Sequence, residues 1–322
     1  MAVIAQEPAS LADIAKRLDA NGKIDAIVEQ LTRTNEILED MLFQEANLPT
    51  GHKTTIRSDL PTATWRLLNY GVKQSKSSTQ QIISTCGMLE AYAEVDKALA
   101  DLNGNTGAFR ASEDQAFLQA MNIAMADTLF YGNVDNEPER FHGFASHLST
   151  VSQPNVLDAG GTVSGSLTSI YLCAWGPQTV FGIYPKGSKA GFRHNDLGEV
   201  TLFDADGGKY QGYRTHYKWD LGLVVRDWRY LIRIANIDLT TIYDNKLIAL
   251  LVTASELLPD QKLGRPVFYM NRQTRTHLRL ARLNKGNVQL SFDDVEGKKV
   301  MVFDEIPVRR SDAVLNTELR VV

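Results

Sequence analysis

Apolar side chains recur at helical spacing over residues 10–43, first in a short segment and then in a second one that begins near Lys23. The second stripe has a polar interruption at Asn35, and its apolar members are Ile24, Val28, Leu31, Leu38, Met41 and Leu42. Such a stripe is typical of a helix lying on its own core. It is equally typical of an arm that docks on a neighbouring subunit, with Asn35 fixing the register.

Residues 47–80 are polar and rich in Thr, Ser and Lys, with short alternating runs typical of strands. The segment is too polar for a core hairpin and too long for an ordinary turn. It therefore predicts an extended hairpin that leaves the body of the protein and lies on another surface. Its candidate contact residues are Arg57, Trp65 and Arg66.

Two helices are predicted in the middle of the chain, the first over residues 88–105. The second, residues 112–131, has the clearest signals, because Ser112 is a good N-cap and Gln115 stands at the capping-box position. Gly132 follows where a left-handed terminating residue belongs. At about 1.5 Å per residue, such a helix spans about 30 Å.

From Leu167 onward, period-two alternation and continuous apolar runs predict strands. Two buried strands flank Gly176-Pro177, and hairpins turn at Gly207-Gly208 and at Glu296-Gly297. A helix capped by Asn271 extends to about Leu283, and another covers residues 247–258. Helices and strands interleave irregularly, so the sequence predicts an α+β fold and argues against a Rossmann sheet or a TIM barrel.

The 322 residues, 43% of them hydrophobic, suffice for one large domain or two ordinary ones with a substantial core. A formal charge of −4 argues against nucleic-acid binding as the bulk property of the chain. The two cysteines, Cys86 and Cys173, give no disulfide framework and indicate a reducing compartment. We find no signal peptide and no apolar run long enough to cross a bilayer.

Motifs for catalysis or metal binding are not found. The six histidines form no HExxH pair, no GxSxG stretch is present, and "DAGGTVSGS" lacks the lysine of a phosphate loop. The stretch "DADGG" begins like a calcium loop but has Lys209 and Thr215 where the pattern requires glycine and a bidentate acid. The sequence therefore predicts no metal, no cofactor and no catalytic residue.

Arginines recur at helical spacing near residue 275, namely Arg272, Arg275, Arg279 and Arg282. Such a stripe contacts phosphates, pairs with carboxylates of an adjacent chain, or is simply a solvated face. The acidic total charge favours the second interpretation.

Several segments taken in order resemble one family. They include "LPTGHKTTIRSDLPTATWRLLNYGV", "PERFHGF", "GYRTHYKWDLGLVVRDWRYLIRIANI", "GRPVFYMNR" and "IPVRRSDAVLNTE". The succession resembles the major capsid proteins of short-tailed and related bacteriophages. The resemblance implies the Hong Kong 97-like fold, which has an N-terminal arm, an extended loop, a peripheral domain with a long spine helix, and an axial domain.

The resemblance places domain boundaries on the predicted elements. An N-terminal helical arm covers residues 1–47 and the extended loop covers residues 48–80. The peripheral domain covers residues 81–149, with the spine helix at 112–131. Residues 150–295 form mainly the axial domain, and residues 296–322 return to the peripheral domain.

The same resemblance makes the stretch after the spine helix a structural corner, formed by Gly132, Pro138, Phe141 and Gly143. Phe141 is expected to be an anchor and Gly143 a tight backbone position. Relatives often have glycine directly before "IPVRR", where this chain has Glu305.

The implied function is structural and not enzymatic. The subunit self-assembles into hexamers and pentamers of an icosahedral capsid that encloses phage DNA, in virions assembled in the bacterial cytoplasm. Implied partners are copies of itself, a portal, a scaffolding protein, a candidate decoration protein, and packaged double-stranded DNA through weak non-specific contacts. The alternatives are an encapsulin-type compartment with the same fold, and an unrelated soluble hydrolase whose catalytic residues converge only in three dimensions.

Overall fold

The computed structural model describes residues 35–101, 106–204, 206–242, 244–284, 290–295 and 298–322. Ile24, Val28 and Leu31 of the predicted arm lie outside the described residues. The described chain forms two compact units. The first comprises residues 88–126 and 191–220, and the second comprises residues 35–87, 127–190 and 221–322. The domain boundaries that the resemblance implies stay predictions.

The helices, in chain order, are α1 (Ile37–Asp40), α2 (Lys97–Ala100), α3 (Thr106–Tyr131), α4 (Phe144–His147), α5 (Asp244–Glu256) and α6 (Arg272–Asn284). The strands are β1 (Phe43–Glu45), β2 (Gly51–Asp59), β3 (Ser78–Asp96), β4 (Val156–Asp158), β5 (Thr168–Trp175), β6 (Val180–Tyr184), β7 (Phe192–Phe203), β8 (Lys209–Val225), β9 (Leu231–Ile237), β10 (Arg265–Met270), β11 (Leu290–Val295), β12 (Lys298–Phe303) and β13 (Ile306–Arg310). A 3-10 helix, Trp228–Tyr230, precedes β9. The fold is therefore mixed α+β, as predicted.

The first unit contains an antiparallel hairpin of β7 and β8, in register from Phe192 opposite Trp219 to Phe203 opposite Lys209. The second half of β3 lies beside β8. The first part of α3 packs on this sheet, and one cluster buries Ala93, Met121 and Tyr217. The helix therefore covers the apolar face of the sheet, and the opposite face carries charged side chains.

The prediction of a helix over residues 88–105 is wrong. Residues 88–96 belong to strand β3, and the helical part that the structure describes is α2 alone. The reason is a period of two, since Ala93 and Val95 are buried while Glu90, Tyr92 and Glu94 are exposed. Alternation with a period of two places all the apolar side chains on one face of a strand. In a helix the same alternation would spread them around the whole circumference and leave no single buried face.

The long helix ends at Tyr131, as predicted, but it begins at Thr106. Ser112 therefore lies within the helix and does not cap it. The earlier start places Phe109 on the same face as the rest of the apolar stripe, where it packs with Val95 and Ala100 in a buried cluster. Burial of one aromatic side chain outweighs the local capping preference of a serine.

The second unit is built around a sheet in which β11, β12, β13, β10, β5 and β6 follow one another. Strand β5 is buried along its whole length, and it pairs antiparallel with both β10 and β9. Aromatic rings fill the core beside it. The Phe130 ring centroid lies 5.5 Å from that of Phe144 and 5.3 Å from that of Tyr171. This core holds the end of α3 against the sheet.

The predicted helix up to residue 43 ends earlier than expected. Its described part, α1, stops at Asp40, because Met41 is extended with φ −67° and ψ 130°. Residues 43–45 then form β1, which pairs in parallel with residues 182–184 of β6. Backbone pairing to the sheet edge thus overrides the helical periodicity at Met41 and Leu42.

Candidate assembly surfaces

Among the described residues, the hairpin of β2 and β3 carries the longest run of exposed apolar side chains. It is paired from Gly51 opposite Thr85 to Asp59 opposite Ser78, and residues 60–77 beyond it are exposed throughout. The exposed fractions are 103% for Trp65, 86% for Leu68, 75% for Leu60, 73% for Leu67 and 71% for Tyr70. Contiguous apolar surface of this kind marks interaction sites in soluble proteins.

The root of this hairpin is fixed by two local features. Asn47 donates its Nδ2 to the carbonyl of Lys53 at 2.8 Å, and its Oδ1 accepts the Lys53 amide at 2.7 Å. At Gly51 a Cβ would lie 2.2 Å from the carbonyl oxygen of Ser84, so only glycine allows this close strand approach. The hairpin is therefore anchored at its base. Arg57 and Arg66, which the sequence singled out, are both exposed.

Charged side chains form a ladder across β3 and β8 in the first unit. Glu94 pairs with Arg214 at 2.6 Å, and Glu90 pairs with Lys218 at 2.7 Å. The hydrogen bond from Lys218 lowers the pKa of Glu90. His216 stacks on the ring of Tyr92 at a centroid distance of 4.5 Å. The ladder fixes the strand register within the chain, so its charges are largely neutralised internally.

The corner after α3 is a tight backbone crossing. A Cβ at Gly132 would lie 2.3 Å from the carbonyl oxygen of Phe141, and one at Gly143 would lie 2.5 Å from that of Thr128. Gly132 does not adopt a left-handed φ, so that part of the prediction is wrong. Glycine is needed there because two chain segments touch. Phe141 is buried and Pro138 is exposed.

The arginine helix α6 is capped by Asn271, whose Oδ1 accepts the Gln273 amide at 3.0 Å. Arg272 pairs with Asp312 of its own chain at 2.9 Å. Arg275 is half-buried, and burial lowers its pKa, with like charge from Arg279 acting in the same direction. Part of the stripe is thus already neutralised within the subunit. Arg279 is exposed, and the side chain of Arg282 lies outside the described residues.

Asn35, the polar position of the predicted stripe, lies against the C-terminal segment of its own chain. Asn35 is buried, and its Oδ1 accepts hydrogen bonds from the Ser311 hydroxyl at 3.1 Å and the Ala313 amide at 3.3 Å. Leu38 is half-buried. The polar position in the predicted stripe therefore bonds to the C-terminal segment of its own chain.

A buried ion pair joins the C-terminal segment to the sheet. Arg233 donates to Glu318 at 2.9 Å, and both side chains are almost fully buried. Arg233 also donates to the Ser169 hydroxyl and the Leu148 carbonyl, each at 3.0 Å. The sequence reasoning missed this network. The available signal was an arginine inside the otherwise apolar strand "LIRIANI".

A cleft of about 490 Å³ opens beside the outer end of β2, where the paired part of the hairpin gives way to the exposed segment 60–77. Its walls are residues 55–60 of the hairpin, Gln178, and residues 226–229 before β9. Three arginines and two aspartates line it, together with the half-exposed Trp228. The cleft could not be predicted from local sequence patterns, because its two walls are far apart in the chain.

The histidines form no catalytic or metal arrangement in the described part of the chain. His142 and His147 have ring centroids 6.1 Å apart, and burial lowers the pKa of His147 to about 4. Among the described residues no group of three or more metal-ligating side chains is placed to hold an ion. Between β7 and β8, the Asp204 carbonyl accepts the Gly207 amide at 3.1 Å and the Asp204 carboxylate accepts the Gly208 amide at 2.6 Å, as in a hairpin turn. No described helix is long and apolar enough to span a membrane.

Comparison with known proteins gives one family. The model of the family described as major capsid protein GP7 matches residues 19–322. Among solved structures, the chain is similar to that of bacteriophage Epsilon15, with a TM-score of 0.78 and 37% identity over 100% of this chain and 99% of that one. The bacteriophage JBD30 capsid has a TM-score of 0.52 and 11% identity over 88% and 93% of the two chains. The SrpI encapsulin of Synechococcus elongatus PCC 7942 has a TM-score of 0.46 and 12% identity over 73% and 98%. No curated protein sequence matches the chain.

Proposed function

Because this chain belongs to the family of major capsid protein GP7, a family of structural proteins and not of enzymes, we propose that it builds its shell mainly through the exposed hairpin. The chain is a virion capsid component with the Hong Kong 97-like fold. In this proposal residues 60–77 of one subunit cover apolar surface on the next. Arg57, Trp65 and Arg66 lie at that contact.

The shell geometry follows from the same proposal. Copies of the chain form hexamers and pentamers of an icosahedral capsid around double-stranded DNA, assembled in the bacterial cytoplasm. A portal, a scaffolding protein and a decoration protein are the further partners. The net charge of −4 suits a wall that touches packaged phosphates without binding them tightly.

The observation that carries the proposal is the exposure of Trp65 and Leu68, which a single subunit leaves in water. Burying each of these side chains against a neighbour contributes about 1.5–3 kcal/mol. In a closed shell every subunit would place its own hairpin on one neighbour and be covered by the hairpin of another. The modest free energies of the individual contacts therefore add up across the shell as avidity. The arginine stripe, with Arg275 and Arg279, is a second proposed contact.

The test is a double substitution, Trp65→Ser with Leu68→Ser, which removes the two most exposed apolar side chains of the hairpin. We expect folded subunits that fail to form shells by gradient sedimentation and electron microscopy, with thermal unfolding unchanged. Val163→Ser is the matched control, since Val163 is 58% exposed outside the hairpin. Normal shells from the double variant would contradict the proposal.

A further inference from the structure

The cleft beside the outer end of β2 holds two positive side chains that have no internal counter-charge among the described residues. Arg229 is neutralised, because its Nε and Nη2 donate to the two oxygens of Asp227 at 3.0 Å and 2.7 Å. Arg57 has no carboxylate partner in the part of the chain that the structure describes. The recorded contact of Arg226 is a long one, 3.5 Å to the carbonyl of Pro177. The cleft therefore presents two guanidinium groups that remain available to an outside anion.

The positive charge of Arg226 affects the pKa of a neighbouring histidine. His52 lies on the hairpin near the cleft, and burial lowers its pKa, with the charge of Arg226 as the second cause. The half-exposed Trp228 adds an apolar surface on which a chain segment can lie. A cleft that combines the guanidinium groups of Arg57 and Arg226 with the aromatic surface of Trp228 is typical of a site for a carboxylate-bearing peptide segment.

A segment with the complementary charge is present on the same chain. The corner turn between Asn133 and Arg140 carries Asp135, Glu137 and Glu139. Glu137 pairs with Arg140 at 2.9 Å, whereas Asp135 and Glu139 are exposed and have no cationic partner among the described residues.

This acidic turn is held in one conformation. The Asn133 Oδ1 accepts the Asp135 amide at 3.0 Å, and the Asn133 carbonyl accepts the Glu137 amide at 2.9 Å. Phe141 anchors the end of the turn in the core. A turn whose backbone is already ordered loses little backbone entropy when it binds, which favours its use as a docking segment.

DNA phosphate fits the cleft less well. Asp59 and Asp227 lie in the same walls as the three arginines, so the net charge of the cleft is only slightly positive. A duplex backbone presents a continuous row of negative charge and is bound by extended basic surfaces. An anion with two separate carboxylates can pair with the two separate guanidinium groups of the cleft. Asp59 and Asp227 would repel a longer, continuous anion such as a nucleic-acid backbone.

We propose that the cleft receives the acidic turn of a second copy of this chain, with Asp135 and Glu139 pairing with Arg57 and Arg226. The inference rests on the proposed self-assembly and adds a named, charge-specific contact to it. The apolar hairpin tip would supply affinity. The ion pairs in the cleft would fix which neighbour docks and in which orientation.

The test is a charge exchange. We expect Arg226→Glu and Glu139→Arg each to lower the yield of shells by about tenfold or more, because each creates like-charge repulsion at every copy of the contact. Combining the two restores opposite charges, and the yield should return to near the wild-type value. Lys262→Glu is the matched control, since Lys262 is an exposed cation outside the cleft.

Each outcome separates this inference from self-assembly itself. Circular dichroism of dissociated subunits checks that the variants fold. A normal shell yield from Arg226→Glu would overturn the proposed pairing. So would a folded Arg226→Glu, Glu139→Arg double variant whose shell yield does not recover. The Trp65→Ser, Leu68→Ser variant tests the role of the hairpin in assembly independently of both outcomes. Loss of binding to a 30-base-pair duplex in Arg226→Glu, with unchanged assembly, would assign the cleft to phosphate and also overturn it.

Discussion

The buried ion pair between Arg233 and Glu318 should be the most sensitive site of the second unit. Their side chains are only 5% and 4% exposed. Glu318 also accepts hydrogen bonds from the hydroxyls of Ser169 and Tyr131. Burial raises the pKa of Tyr131, so this phenol stays a neutral donor. The Glu318 carboxylate thus satisfies one charge and two hydroxyls.

Glu318→Ala would leave the Arg233 guanidinium buried without a counter-charge. Removing one partner of a buried pair costs about 3–5 kcal/mol, mostly because the remaining charge is desolvated and unpaired. The loss of acceptors for Ser169 and Tyr131 acts in the same direction. We therefore expect a loss of about 3–5 kcal/mol in the free energy of unfolding.

The assay is urea denaturation of dissociated subunits, followed by circular dichroism. Glu318→Ala should lower the midpoint without changing the slope m, since the surface exposed on unfolding stays nearly the same. Leu319→Ala is the control next in the chain, because Leu319 is 75% exposed, and its effect should stay within about 0.5 kcal/mol. Replacing both partners, Arg233→Met with Glu318→Leu, should cost less than Glu318→Ala. Equal midpoints for Glu318→Ala and Leu319→Ala would refute the reasoning.

Two further predictions concern single residues. Asp304 and Glu305 have φ of 49° and 65° in the two-residue turn between β12 and β13. Because glycine adopts positive φ without steric cost, Glu305→Gly should stabilise the subunit by about 1 kcal/mol. Urea denaturation measures this effect, and a lower midpoint would contradict the prediction. The pKa of His147 is lowered to about 4, so as the pH falls the unfolded state binds a proton before the folded state does. The contribution of this group to the free energy of unfolding is therefore fully present above pH 6.5. It is lost as the pH falls from 6.5 towards 4, by about 1.4 kcal/mol per pH unit. His147→Gln should remove this slope between pH 7 and 4.5, and parallel stability curves for both proteins would count against it.

Elements with a strong local signal were predictable from the sequence. The apolar runs of β5 and β6, the glycine turn between β7 and β8 and the asparagine cap of α6 each correspond to an observed element. The signals are local because the residues that decide the element are adjacent in the chain. The same holds for the end of α3, where Gly132 follows Tyr131.

Elements decided by distant residues were not predictable. Residues 88–96 contain alanine and glutamate, which favour helices, whereas His216, whose side chain contacts that of Glu90, is 126 positions away. Asn35 meets Ser311 across 276 positions, and Arg233 meets Glu318 across 85. Tertiary pairing overrides local propensity at such places. The candidate cleft has the same origin, since its walls meet only in the folded chain.

The placement of polar and apolar groups explains how one chain can be both a stable subunit and a shell component. The charges in contact with the core of the second unit, such as Arg233 and Glu318, are paired internally and cannot be exchanged between neighbours. Exposed groups on the hairpin, such as Trp65 and Arg57, lack such internal partners in the described chain. Assembly can therefore use the hairpin without breaking any contact that keeps the subunit folded. Because residues 60–77 bury almost nothing within the subunit, small changes in their direction cost little folding energy. A contact built on them can consequently serve at more than one angle between subunits, as the proposed shell of hexamers and pentamers requires.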